Sequence, residues 1–236
     1  MAKFVENKIS IKYGEFSKEQ IEKIREKYCV KEKTPLSGDY EILKFDFSKF
    51  VKEPENMIKV GFGENTVEAY SAFFKYNPLN LNKNQMKRAL TESSSNKNNK
   101  DTVFKIIDFD GEEIFIDVWI NKWFNETKPE ISKDDYLPIW LDWNVENWGP
   151  KWNSYGETSV EPSGIYFETA NGTLNDKILF SIVEEFKNIL TPVQVESLQY
   201  AWKFYEEDDY LYYGYEIGRK YVNEIEEMDL NEMEEE

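Results

Sequence analysis

The sequence predicts an α+β fold built from two βαβ-like halves. Three observations predict it. Ile9, Ile11 and Tyr13 alternate with Ser10 and Lys12 near the N-terminus, the period of a half-buried strand. Ser17 and Gln20 then stand at capping-box spacing, and Ile21, Ile24 and Tyr28 fall on one helical face. A strand–helix–strand–strand order returns between Gly164 and Ile217.

The elements follow in order. Lys8–Gly14 reads as the first strand and Ser17 to about Tyr28 as the first helix. Cys29 continues the apolar face and reads as a small buried hydrophobe. A loop runs from Thr34 to Asp39. Ile42–Phe47 is the second strand, with Leu43, Phe45 and Phe47 on one side. Gly61-Phe62-Gly63 precedes a helical run, Val67–Tyr76. A Gly-x-Gly at a helix start can cradle phosphate, but the third glycine is missing and Glu64 would face the anion, so a turn is expected. Asn84–Glu92 reads as a short helix, and Ser93–Lys100 as a polar loop.

Asp110-Gly111 between two apolar runs, Thr102–Phe109 and Glu113–Ile120, predicts a hairpin. Phe104, Ile106, Phe115 and Trp119 are its core candidates. Gly164–Thr169 is a strand closed by Asn171-Gly172. Asn175 or Asp176 caps a helix to about Leu190, whose buried stripe is Ile178, Leu179, Ile182, Val183, Phe186 and Leu190. Pro192 is expected to end it. Ser197–Glu206 and Tyr210–Ile217 make a second hairpin, rich in tyrosine. One domain over 1–222 is expected, with an insertion around 60–135 and an acidic tail over 223–236.

Composition narrows the chemistry. The chain of 236 residues contains no histidine and one cysteine. A Ser-His-Asp or Cys-His nucleophile is excluded, and so are an imidazole metal ligand and an intrachain disulfide. No apolar run approaches the length a membrane helix needs. The N-terminus lacks the apolar core of a signal peptide, so a cytoplasmic location is expected. The expectation is a binder with no catalytic residues, no cofactor and no metal.

Net charge is −17, unevenly placed. Residues 206–236 carry 13 acids and two bases, a net of −11. That field repels duplex nucleic acid and attracts basic protein surfaces. Plain solubility explains the same charge equally well. The acidic candidate surface is Glu206, Glu207, Asp208, Asp209, Tyr210, Tyr212, Glu216, Glu224 and Glu227. Carboxylates spaced along an edge imitate a phosphate ladder, and interleaved tyrosines supply rigid contact area. Asp108, Asp110, Glu112 and Glu113 also cluster, but they straddle a turn where Asp is expected without a metal.

A second candidate is the tryptophan-rich stretch Trp140–Tyr155, with four of the seven tryptophans and a break at Gly149-Pro150. A helix or strand end is expected at about Val145 and a new start near Trp152. Asn147, Trp148, Lys151, Trp152, Asn153 and Tyr155 form either a recognition turn for a nucleotide or small ligand, or a packing knot.

The run Asn147-Trp148-Gly149-Pro150-Lys151-Trp152-Asn153-Ser154-Tyr155 resembles the Asn-Trp-Gly-Thr-Lys-Trp-Asn-Ala-Tyr signature of the YubB ferredoxin-like family, departing from it at Pro150 and Ser154. Phe45–Met57 resembles a second segment of that family more weakly. The resemblance implies a ferredoxin-like core, an antiparallel sheet with helices on one face, on a phage or conjugative plasmid. It implies no catalytic residues. With the charge, it leads to the expectation of an accessory protein that blocks a host defence effector, such as a CRISPR effector or restriction enzyme, by stoichiometric binding.

Overall fold

A computed structural model describes residues 4–33, 41–60, 66–92, 104–108, 110–206 and 209–220, with the side chains of 205–212 and 220 left undescribed. The elements are β1 (Phe4–Ile11), α1 (Lys18–Tyr28), β2 (Cys29–Lys33), β3 (Glu41–Phe45), α2 (Thr66–Tyr76), α3 (Lys83–Thr91), β4 (Lys105–Ile107), β5 (Glu113–Phe115), α4 (Ile116–Thr127), α5 (Trp140–Asn147), β6 (Tyr155–Glu161), β7 (Gly164–Ala170), α6 (Asp176–Phe186), α7 (Pro192–Glu196), β8 (Leu198–Glu206), β9 (Asp209–Glu216) and α8 (Ile217–Lys220). The fold is α+β. The chain divides into two compact units, Met1–Lys52 with Asn144–Glu236, and Glu53–Trp143.

The first unit holds a five-stranded sheet in the order β6-β7-β1-β8-β9, every neighbouring pair antiparallel. Pairing on both sides, not alternation alone, sets the limits of β1. Phe4–Ile9 lie against β7, and Val5–Ile11 against β8. The strand therefore starts earlier than expected and stops before Tyr13, which is 68 % exposed. Its inward residues Val5, Asn7, Ile9 and Ile11 are buried. Asn7 is satisfied across the sheet. Its Nδ2 donates to Thr169 Oγ1 at 3.0 Å, and its Oδ1 accepts from the Tyr200 hydroxyl at 2.6 Å. Tyr200 in turn accepts from the Leu174 backbone N–H at 2.9 Å. Buried polar groups of this kind are stable only with such partners, and burial pushes the Tyr200 phenol pKa well up.

Ser17 and Gln20 make the expected capping box, and Ile21, Ile24 and Tyr28 are buried. Asn175 caps α6 by accepting from the Ile178 N–H, and the predicted apolar stripe is buried through Leu190. Two expectations change here. The helix ends at Phe186, with Leu190 N–H closing a last turn on the Phe186 carbonyl at 2.8 Å. Pro192 opens a new short helix at its first turn behind the Thr191–Gln194 capping box, where its missing N–H costs nothing. The pair β2 and β3 forms a separate two-stranded sheet. The sequence carries no signal for β2, because four of its five residues are partly or fully exposed, which erases the alternation. Phe47 leaves the predicted strand for a single 3-10 turn, Phe47–Lys49, capped by Asp46.

Cys29 is buried, and desolvation pushes its thiol pKa up to about 12. At pH 8 a disulfide reagent is expected to modify the native thiol at least about a hundredfold more slowly than in denaturant. Equal rates in a stopped-flow absorbance assay would show the thiol to be open.

The second unit packs α2, α3 and α4 around Phe73, Trp119 and Trp123. The indoles of Trp119 and Trp123 stack at 6.1 Å and 5°, and Phe73 meets both edge-on. The hairpin β4–β5 is present but short. The strand predicted to run to Ile120 gives way at Ile116 to α4, where Ile116, Trp119, Ile120 and Trp123 are buried at helical spacing. The sequence places an insertion at about 60–135, and the second compact unit runs from Glu53 to Trp143. The Gly61–Gly63 motif, the Thr34–Asp39 loop, the Ser93–Lys100 loop and the tail from 221 lie outside the described residues.

Candidate functional site

The tryptophan-rich turn is built from the end of α5 outward. Trp148 N–H returns to the Asn144 carbonyl at 2.7 Å, and Gly149 N–H reaches the carbonyls of Asn144 and Val145, each at 3.1 Å. The chain then turns at Gly149, whose φ is +99°. This places the helix end at Asn147 and the next strand at Tyr155, later than the expected Val145 and Trp152. The last carbonyls of a helix need outside partners. Asn175, the cap of α6, supplies them: its Nδ2 donates to the carbonyls of Val145 at 3.2 Å and Glu146 at 2.8 Å, and its N–H donates to that of Trp148 at 3.0 Å. One asparagine therefore closes one helix and opens another.

Asn147, Trp148 and Asn153 turn their polar groups into the fold. Trp148 is buried, donates its indole N–H to the Val51 carbonyl at 3.2 Å and lies edge-on to Phe47. Asn147 is buried, and its Oδ1 accepts from Lys177 Nζ. Asn153 Oδ1 accepts from the N–H groups of Phe47 and Ser154, both at 2.9 Å, while its Nδ2 donates to Asp46 Oδ1 at 2.7 Å. The Lys151 carbonyl accepts from Asn144 Nδ2 at 2.8 Å. Trp152 and Tyr155 remain about half exposed, and Tyr155 stands against Phe4 at 5.0 Å. Asp46, Val51 and Lys177 carry no signal in the sequence, because each lies 30 or more residues from its partner; Asn175 is legible as a helix cap, but its bonds to the end of α5 are not. Among the described residues, Asn144 Oδ1 and Ser154 Oγ are buried with no protein partner.

The second candidate is the β8–β9 hairpin. Its register pairs Tyr200 with Tyr215, Trp202 with Tyr213, Phe204 with Leu211 and Glu206 with Asp209. One face is an aromatic ladder, buried at Tyr200 and exposed at Tyr213. Tyr200 stacks on Trp202 at 5.2 Å, Trp202 on Tyr213 at 5.7 Å and Tyr213 on Phe204 at 5.9 Å. Such pairs each add about 0.5–1.5 kcal/mol beyond area burial and stiffen the hairpin. Glu216 is held by Lys12 at 2.6 Å and Arg219 at 3.5 Å, so its charge is already paired. Its partner Lys12 has its pKa raised by that contact. Glu206, Asp209, Tyr210 and Tyr212 are placed by backbone only. Glu207, Asp208, Glu224 and Glu227 lie outside the described residues.

On the middle hairpin, Asp108 Oδ1 accepts from the N–H groups of Asp110 and Glu112 at 2.9 and 3.1 Å, and Lys122 stands within 3.7 Å of Asp108 and Asp110. Backbone donors and this lysine hold the Asp108 pKa below the usual carboxylate range. Among the described residues no group of three or more His, Cys, Asp or Glu side chains is placed to hold a metal ion, and no helix is long and apolar enough to cross a membrane.

Fold and site together define an α+β protein whose five-stranded antiparallel sheet ends in an aromatic, acid-tipped hairpin. No protein-family model matches the chain, and neither a curated protein nor a solved structure matches it.

Proposed function

We propose that this chain is a phage or plasmid accessory protein, of ferredoxin-like fold and kin to the YubB family, that inhibits a host defence nuclease by stoichiometric binding in the host cytoplasm. The sheet order β6-β7-β1-β8, with α1 leaving β1 and α6 leaving β7, supports the ferredoxin-like reading. The observation that carries the function is the concentration of acid at one end of the chain, 13 carboxylates against two bases over 206–236, beginning at the tip of a hairpin stiffened by stacked rings. A stretch of such acid content competes with a phosphate backbone for the cationic groove of a nucleic-acid-handling protein, such as a CRISPR effector or restriction enzyme. Long-range attraction speeds that encounter and is screened by salt.

A host carrying an active defence nuclease tests this. Expression of the chain is expected to restore phage or plasmid entry. Replacing Glu206, Glu207, Asp208 and Asp209 together by Gln and Asn is expected to lower that protection at least about tenfold, as charge steering is lost. Protection that persists far below one copy per nuclease would point to turnover, and an unaltered quadruple variant would remove the acidic surface from the mechanism.

A further inference from the structure

One face of the five-stranded sheet belongs to the core. Val5, Ile9, Ile165 and Phe167 are buried on it, and Phe167 meets Phe45 at 5.1 Å. The other face follows from the register, because residues paired directly across two strands share a face and neighbours along a strand alternate. Glu168 of β7 pairs with Glu6 of β1 on one side and with Tyr155 of β6 on the other. Phe4 stands two residues before Glu6, beside the Ala170 position. Phe4, Glu6, Tyr155 and Glu168 therefore stand together on the face opposite to Val5 and Phe167.

Two accessible rings stand beside a carboxylate here. Phe4 is 48 % exposed and Tyr155 52 %, with their centroids 5.0 Å apart. Glu168 turns its carboxylate towards β6. A Cβ at Gly156, where φ is +67°, would stand 3.2 Å from Glu168 Oε2, so the missing side chain leaves the carboxylate room next to Tyr155. Among the described residues no cation pairs with Glu168. The two lysines of this face are engaged elsewhere. Lys203 holds Glu6 at 2.9 Å, and Lys8 stands over the Tyr166 ring at 5.5 Å. Partial burial and the charge of Glu6 push the Glu168 pKa up, the direction taken by a carboxylate that lacks a counter-ion.

We infer that Glu168, Tyr155 and Phe4 form a seat for one arginine side chain of a partner protein. A guanidinium matches both parts of the seat. Its fork bonds a carboxylate through two parallel N–H groups, and its flat face stacks on aromatic rings. A lysine ammonium supplies the charge without the plane. The arginine comes from another protein, because the three arginines of this chain are already held. Arg25 donates to the Val160 carbonyl at 2.7 Å, Arg88 pairs with Glu92 at 2.6 Å and Arg219 with Glu216 at 3.5 Å. The inference rests on the cationic-partner reading above and adds one point of contact, on residues separate from the acidic stretch 206–236.

The test titrates the full-length protein with the end-blocked tripeptide Gly-Arg-Gly, beside a Gly-Lys-Gly twin, and follows backbone amides by NMR. The arginine peptide is expected to shift the amides of Gly156 and Glu168 saturably and to bind at least about threefold tighter than its twin. Glu168→Gln, which keeps the shape of the side chain, is expected to weaken it at least about fivefold, and Tyr155→Leu about threefold. Glu22→Gln on α1 removes the same charge from another surface and is expected to leave the affinity within about twofold. No saturable shift, twins that bind alike, or equal losses in Glu168→Gln and Glu22→Gln would overturn the inference. Shifts centred away from Gly156 and Glu168 would also overturn it while leaving a cationic partner in place. Saturable, Glu168-dependent binding by a chain that gives a host no protection would keep the seat and remove the nuclease as its partner.

Discussion

Gly149→Ala is expected to destabilise the protein by at least about 3 kcal/mol. A Cβ at this position would stand 2.1 Å from the Thr173 carbonyl oxygen and 2.8 Å from the Asn175 nitrogen, both backbone atoms. The glycine also occupies φ +99°, which an alanine adopts only under strain. Relief would require the 173–175 segment to withdraw, yet that segment holds the Trp148 carbonyl and the end of α5 through Asn175. A melting temperature lower by roughly 6–12 °C follows for a chain of this size, measured by thermal circular dichroism. Gly111→Ala is the control. Its φ is +83°, but nothing lies within 4 Å of a Cβ there, so it carries backbone strain alone, about 1 kcal/mol. If the two variants melt together, the close approach at Gly149 is not what fixes the turn.

Trp119→Ala is expected to cost about 3–5 kcal/mol, the range for removing a large aromatic from a packed core. The indole is 1 % exposed, stacks on Trp123 and receives the edge of Phe73. Removing it strips contacts from two of the three helices of the second unit at once. Hydrogen exchange should show protection falling in α2 and α4, and Trp119→Phe should recover part of the loss. Unchanged protection would mean that the cluster Ile58, Tyr70, Phe73, Leu90 and Ile120 closes over the gap.

Much of the local structure was legible in the sequence. The capping box at Ser17 and Gln20 and the cap at Asn175 act within four residues, so a linear pattern carries them. The stripe from Ile178 to Leu190 and the hairpin of Leu198–Glu206 with Asp209–Glu216 are likewise local periodicities. The failures share a cause. In Glu113–Ile120 a short alternating run meets a helical one, and the burial of Ile116, Trp119 and Ile120 on one face decides for the helix. Pro192 reads as a stop, but Thr191 in front of it makes it a start. β2 has no inward-facing period, and only its partner β3 makes it a strand.

The candidate sites divide along the same line. Trp148, Asn147 and Asn153 were recognisable as residues of consequence, yet their orientation depends on Val51, Lys177 and Asp46, which no spacing rule connects to them. The acid of 206–236 is a property of composition, whereas the place of β9 at the end of the described strands is a property of the sheet order. The sequence by itself determined the α+β class, the helix starts, the lack of histidine chemistry and the sign of the charge, since these depend on residue type and near neighbours. Only the tertiary structure decided which strand ends the described sheet and which asparagines turn inward. Those depend on contacts between residues tens to nearly two hundred positions apart, and a hydrogen bond at that range leaves no period in the chain.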